Sequence, residues 1–232
     1  MAPGPRMFLM QQLSQAALST ELIYAFLIII VSLMIYFATK ELYDLTKHKG
    51  IQYFRLAFLF FAVAFFFRSF IKIFVFFLEI PKEYGLLINQ LLGTGTVFLF
   101  MYFSALAIFY LVYSVKHKKW NNKNLTIIIF QLLAIIIGVI VIISKNPYVI
   151  LAINLLFLTS ILFVIFTTHS QRKNKHKSLY VIYILLFVFW ILNIFNILIP
   201  NFLQFYHLLI YLASISIFLS ILYKVLRNIG IK

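Results

Sequence analysis

Arg68 and Lys72 stand four residues apart in a run from Gln52 to Leu78 that is otherwise almost wholly apolar. At helical pitch this spacing puts both cations on one face. An ionisable group at the centre of a membrane helix costs at least about 2.5–3.5 kcal/mol, so each one needs a partner or a function. Arg68 lies slightly outward of the middle of its run, and Lys72 lies a turn nearer the outer end. Three acidic residues, Glu21, Glu79 and Glu83, fall at the outer boundary rather than at that depth, which leaves Glu79 as the nearest candidate counter-ion in sequence. The chemistry on offer is recognition of an anionic or strongly polar group.

Uncharged polar residues fall at the same level. Asn89, Gln90 and Thr94 open one apolar run, Asn154 lies early in another, and Asn193 and Asn196 lie late in a third. In the last run Gln204, His207 and Tyr211 share a face at i, i+3 and i+7. Neighbouring spans run in opposite directions, so early positions in odd spans and late positions in even spans meet in one half of the bilayer. The candidate ligand-binding residues are therefore Arg68, Lys72, Asn89, Gln90, Asn154, Asn193, Asn196, Gln204, His207 and Tyr211, around an outward-facing polar cavity. Interhelical glue is the competing explanation, at about 0.6–2 kcal/mol per bond, with Lys72 snorkelling to the interface. The depth of Arg68 favours the cavity. His48, His117, His169 and His176 sit in basic joints and read as solvated.

Catalysis finds few materials. Membrane hydrolases, metalloenzymes and prenyl transferases need several carboxylates or histidines in one site. Here Asp44 is the only Asp, it falls in a joint, and His207 is the only histidine at membrane depth. The chain reads as no enzyme, with no metal and no cofactor. Absence of Cys removes disulfides and thiolate chemistry. Gly93-Thr94-Gly95-Thr96 reads as a small-residue helix contact, because no lysine follows to make a phosphate loop.

The elements that must carry these residues are membrane helices. Hydrophobic residues make up 64% of the 232 positions and charged residues 11%, far from a soluble composition. A helix of about 20 apolar residues crosses the hydrocarbon core and satisfies its own backbone hydrogen bonds there. Seven such runs are present: Glu21 to Thr39, Gln52 to Leu78, Tyr84 to Ser114, Leu125 to Ile143, Pro147 to Thr168, Leu179 to Ile199 and Phe202 to Val225. The fold class is all-α, a polytopic seven-helix membrane protein with a segment 1–20, a membrane domain 21–226 and a tail 227–232. Gln11, Gln12 and Gln15 break any signal-peptide core, so the first twenty residues read as an interfacial amphipathic turn rather than a cleaved leader.

Lys and Arg alternate between joints. One side holds Lys40, Lys47, Lys49 and Arg55, then Lys116, Lys118, Lys119 and Lys123, then Arg172, Lys173, Lys175 and Lys177, then Lys224, Arg227 and Lys232; the other holds Arg6, Lys82 and Lys145. Positive residues stay cytoplasmic, so the N-terminus is expected outside and the C-terminus inside, in a multi-pass protein of the cell membrane. The net charge of +15 then reflects topology and attraction of anionic head groups at the cytoplasmic face, not nucleic acid. On that reading the sequon Asn124-Leu125-Thr126 faces the cytoplasm and is chance. The sequence leaves room for a homo-oligomer.

A shift of 128 residues lays Lys47-His48-Lys49 on Lys175-His176-Lys177, Ser32 on Ser160 and Thr39 on Thr167, with Arg68 opposite Asn196. Val112-Tyr113-Ser114-Val115 matches Leu222-Tyr223-Lys224-Val225 at a smaller shift. Together these imply three helices, a linker helix and three helices in parallel repetition. Seven spans, an outer N-terminus and that plan resemble the SWEET and PQ-loop transporters. The helix count and orientation also resemble microbial rhodopsins and seven-helix sensor modules. No diagnostic motif accompanies either resemblance: no Pro-Gln pair occurs, and Ala213-Ser214-Ile215-Ser216 stands where a retinal-binding lysine would. The expected function is a non-enzymatic, receptor-like protein binding a small anionic or polar ligand or a lipid head group. A small-solute transporter is the alternative, and a scaffold without a ligand is the second alternative.

Overall fold

The computed structural model describes residues 5–77, 82–117, 123–144, 146–170, 177–199 and 203–229, with side chains over 19–70, 92–117, 124–144, 146–169, 179–199, 203 and 205–227. Among them are seven helices and no strand: α1 (Pro5–Thr46), α2 (Lys49–Phe77), α3 (Lys82–Lys116), α4 (Lys123–Ser144), α5 (Pro147–Ser170), α6 (Lys177–Leu198) and α7 (Gln204–Ile229). Each contains a segment long and apolar enough to cross a membrane. Several helices outrun the apolar runs because polar residues continue a helix once it has left the lipid. The largest difference is at the start, where 5–20 is not a separate turn but the first part of one 42-residue helix.

Local signals explain the joints. Lys47 takes a left-handed φ of 50°, and its N–H donates to the Tyr43 carbonyl at 2.7 Å to close α1. Asn146 caps α5 through a 2.9 Å bond from the Tyr148 N–H to its Oδ1, with Pro147 in the first helical position.

The helices pack in chain order as a ring. α2 sits between α1 and α3, α6 sits between α5 and α7, and the two triples join through α3 with α5 and through α1 with α7. α4 stands outside that ring, mainly on α3, with Leu125, Ile128, Leu132, Ile136 and Ile143 exposed. Between Ile127 and Ile143 its side chains are apolar except for Gln131, which bonds Tyr102 of α3, and this suits α4 to lipid on most of its circumference. Inside the ring is an aromatic layer of Phe58, Phe61, Phe157, Phe189, Trp190 and Phe218. Phe189 meets Phe218 edge-on at 4.6 Å and Phe157 meets Trp190 at 5.6 Å. Such pairs contribute about 0.5–1.5 kcal/mol each beyond their burial.

Close backbone approach occurs at two glycines other than those the sequence suggested. A Cβ on Gly50 would lie 2.8 Å from the Ser114 carbonyl oxygen, and one on Gly138 would lie 2.6 Å from the Phe98 ring. Among the described residues nothing lies within 4 Å of a Cβ at Gly93 or Gly95. The tight helix contacts are therefore α2 on α3 and α4 on α3.

Candidate functional site

Call the end where the odd-numbered helices begin the upper end. Arg68 lies there, late in α2, and Glu21 faces it from α1. Arg68 Nη2 donates to Glu21 Oε1 at 3.2 Å. Both side chains are mostly buried, with 23% and 19% of their surface exposed. Among the described residues the counter-ion of Arg68 is Glu21, 47 positions away in sequence; Glu79, the nearest candidate by counting, lies outside the described residues. The Phe65 and Phe100 rings flank the guanidinium at 5.9 and 5.3 Å, close enough for cation–π attraction.

One side of Arg68 opens on a cavity of about 190 Å³ between α2, α3, α5 and α6. Phe61, Phe65, Phe100, Met101, Phe157 and Trp190 form most of its wall, and Arg68, Ser104, Asn154 and Asn193 supply the polar part. Trp190 Nε1 donates to the Asn154 carbonyl at 3.1 Å, which ties α6 to α5. Asn154 Nδ2 donates to the Ile150 carbonyl at 2.8 Å. Rather than the polar chamber expected from sequence, this is an aromatic cavity with a polar edge.

Beside Glu21, α1 packs on α7. Tyr24 stacks on Tyr211 at 4.5 Å and meets Phe65 edge-on at 5.8 Å. The Tyr24 hydroxyl faces Ser214, and the Tyr211 hydroxyl faces Asn196. His207 Nδ1 lies 2.7 Å from Asn196 Oδ1 and donates to it. The remaining His207 nitrogen, Nε2, is buried and has no hydrogen-bond partner among the described residues.

The ten candidates therefore divide. Arg68, Asn154 and Asn193 share the cavity; Asn196, His207 and Tyr211 form a separate polar network behind it; the side chains of Lys72, Asn89, Gln90 and Gln204 lie outside the described residues. Glu21, Tyr24 and Ser214 were missed, because their faces are known only once α1 packs on α2 and α7. A signal did exist, since Glu21 and Tyr24 at i, i+3 share a helix face.

A second cavity, of about 90 Å³, lies at the opposite end between Thr39, His48, Gly50, Ser114 and Tyr183. There the Tyr183 and Ser114 hydroxyl oxygens are 3.3 Å apart, and the His48 and His117 rings meet edge-on at 5.3 Å. His48 is exposed as expected, whereas His117 is half-buried.

No protein-family model and no solved structure matches the chain. An uncharacterized protein of Archaeoglobus fulgidus is 31% identical over 221 residues, covering 91% of this chain and 93% of that protein. The chain belongs to the same family as that archaeal protein. Coverage this broad means that the likeness runs through the bundle and is not confined to one helix pair.

Proposed function

We propose that the chain is a receptor-like membrane protein that binds a small ligand in the cavity beside Arg68, without turning it over, and that its N-terminus lies outside. The observation that carries this reading is an aromatic cavity of about 190 Å³ edged by a guanidinium. Ligand sites have this composition: mostly apolar walls and a few polar groups that fix orientation. Arg68 spends one of its five N–H donors on Glu21. The others are open to a guest.

Thermal-shift measurements on the purified protein in detergent test the reading. A panel of small amphiphilic compounds should contain some that raise the melting temperature. Ser104→Leu, which puts three carbons into the cavity, should raise the baseline and remove those responses. Identical responses in both proteins would place binding elsewhere.

Transport is the second reading. It is favoured by two cavities at opposite ends of the bundle with the aromatic layer between them, and by the matching helix order of the two triples around an outlying α4. Uptake of the same compounds into proteoliposomes would select it over sensing.

A further inference from the structure

We propose that the ligand is an uncharged molecule with a compact apolar body and one group that both donates and accepts hydrogen bonds, a hydroxyl or a carboxamide, and that Asn154, Ser104 and Asn193 read that group while Arg68 keeps its bond to Glu21. This rests on the ligand site proposed above and names the class of its occupant.

The cavity sets the size and the body. A dry cavity of about 150 Å³ accommodates benzene. About 190 Å³ therefore suits a six-membered ring, or a branched chain of similar bulk, with one small substituent. Phe61, Phe100, Phe157 and Trp190 in the wall select an apolar body.

Ser104 points to a guest. Other hydroxyls of α2 and α3 turn back on their own helices: Ser69 donates to the Phe65 carbonyl, Thr96 to the Leu92 carbonyl and Ser114 to the Leu111 carbonyl. Ser104 lines the cavity, is only 3% exposed and makes no hydrogen bond among the described residues. The Asn193 side chain on α6 lines the same cavity and makes none there either. A buried polar group without a partner is destabilising, so a hydroxyl and a carboxamide open on one apolar volume suit a ligand that completes them.

The polarity of the rim sets the head group. Arg68 only donates. Asn154 Nδ2 is committed to the Ile150 carbonyl at 2.8 Å, which leaves Asn154 Oδ1 as an acceptor with no partner among the described residues. Ser104 and Asn193 can do either. A carboxylate has no proton for Asn154 Oδ1, and an ammonium has no lone pair for Arg68. A hydroxyl or carboxamide serves both sides: its O–H or N–H donates to Asn154 Oδ1, and its oxygen accepts from Arg68, Ser104 or Asn193. Arg68 need not leave Glu21 for this, since its guanidinium has further N–H groups.

Trp190 reports directly on the cavity, and Trp120→Phe leaves it as the single tryptophan. The probes are cyclohexanecarboxamide and cyclohexylmethanol, with cyclohexanecarboxylate at pH 8 and ethylcyclohexane as their acceptor-only and apolar counterparts. In the full-length Trp120→Phe protein in detergent, the amide and the alcohol should change Trp190 fluorescence saturably, and the carboxylate should bind at least tenfold more weakly than the amide. Adding Ser104→Ala or Asn154→Leu should weaken the amide and the alcohol about fivefold, the worth of one hydrogen bond. Neither substitution should weaken ethylcyclohexane, and that comparison cancels partition into the micelle. Trp190 donates to the backbone carbonyl of Asn154, so Asn154→Leu leaves the reporter's own hydrogen bond in place.

A carboxylate that binds as tightly as the amide would show that Arg68 selects an anion. Amide and alcohol affinities untouched by both substitutions would show that the neutral polar groups read nothing. Either result overturns this inference and leaves the ligand site standing, as does silence of Trp190 toward both the amide and the alcohol. Only that silence joined with identical thermal responses in the unmutated protein and Ser104→Leu removes the site as well. Should Asn154→Leu fail to fold, Ser104→Ala and the ratio of amide to carboxylate affinity on the unsubstituted cavity still decide it.

Discussion

Tyr24 of α1 and Tyr211 of α7 stack with ring centroids 4.5 Å apart and planes 17° from parallel, and this contact joins the first helix to the last. Tyr211 also meets the His207 ring at 6.4 Å, and His207 bonds Asn196, so the seam adjoins a polar network. A double-mutant cycle with Tyr24→Leu and Tyr211→Leu should give a coupling of about 0.5–1.5 kcal/mol in denaturant unfolding. Additive losses would show that the rings are neighbours without a specific interaction.

Removing one member of the Glu21–Arg68 pair strands the other. Glu21→Gln should destabilise the protein by about 1–2 kcal/mol, less than the 3–5 kcal/mol of a fully buried pair because both side chains keep some exposure. Glu21→Gln combined with Arg68→Met should recover most of that loss. Melting temperatures of the two single variants and the double decide it, and a double variant weaker than both singles would refute the pairing.

Gly50 and Gly138 should respond differently to the same substitution. Alanine normally favours a helix over glycine by about 0.5–1 kcal/mol. At Gly50 the new methyl group meets the Ser114 backbone oxygen at 2.8 Å, which cannot move aside, so Gly50→Ala should cost about 1–3 kcal/mol net. At Gly138 the obstacle is the Phe98 side chain, so Gly138→Ala should be milder, and adding Phe98→Leu should restore the loss. Thermal unfolding of the three variants checks the order.

Orientation is directly testable because the chain has no cysteine. Single cysteines at Lys116 and Lys175 should react with an impermeant maleimide only after permeabilisation, and one at Lys145 should react in intact cells. Labelling of Lys175 from outside would reverse the orientation and the side from which the Arg68 cavity opens.

The helices were legible because apolar runs near 20 residues have no other stable form in lipid. The depth of Arg68, Asn154, Asn193 and His207 was legible too, from antiparallel alternation alone. Which of them share a chamber was not, since rotation of each helix is set by packing. Arg68 shows the limit well: a long side chain reaches a carboxylate that counting along the sequence places nearer the boundary. Phe61, Phe100 and Trp190 give no sign of their shared role either, because in so aromatic a chain a cavity wall and a lipid-facing surface have the same composition.

The Glu21–Arg68 pair lies wholly within α1 and α2, whereas the stack that closes the ring requires α7. During synthesis the first hairpin can therefore leave the translocon with Arg68 already paired, before α3 exists. The seam at Tyr24 must wait for the end of translation. Until then the flank of α1 that will receive α7 stays open to lipid or to a chaperone, so a ribosome stalled before Phe205 would hold a bundle with Arg68 paired but the ring unclosed.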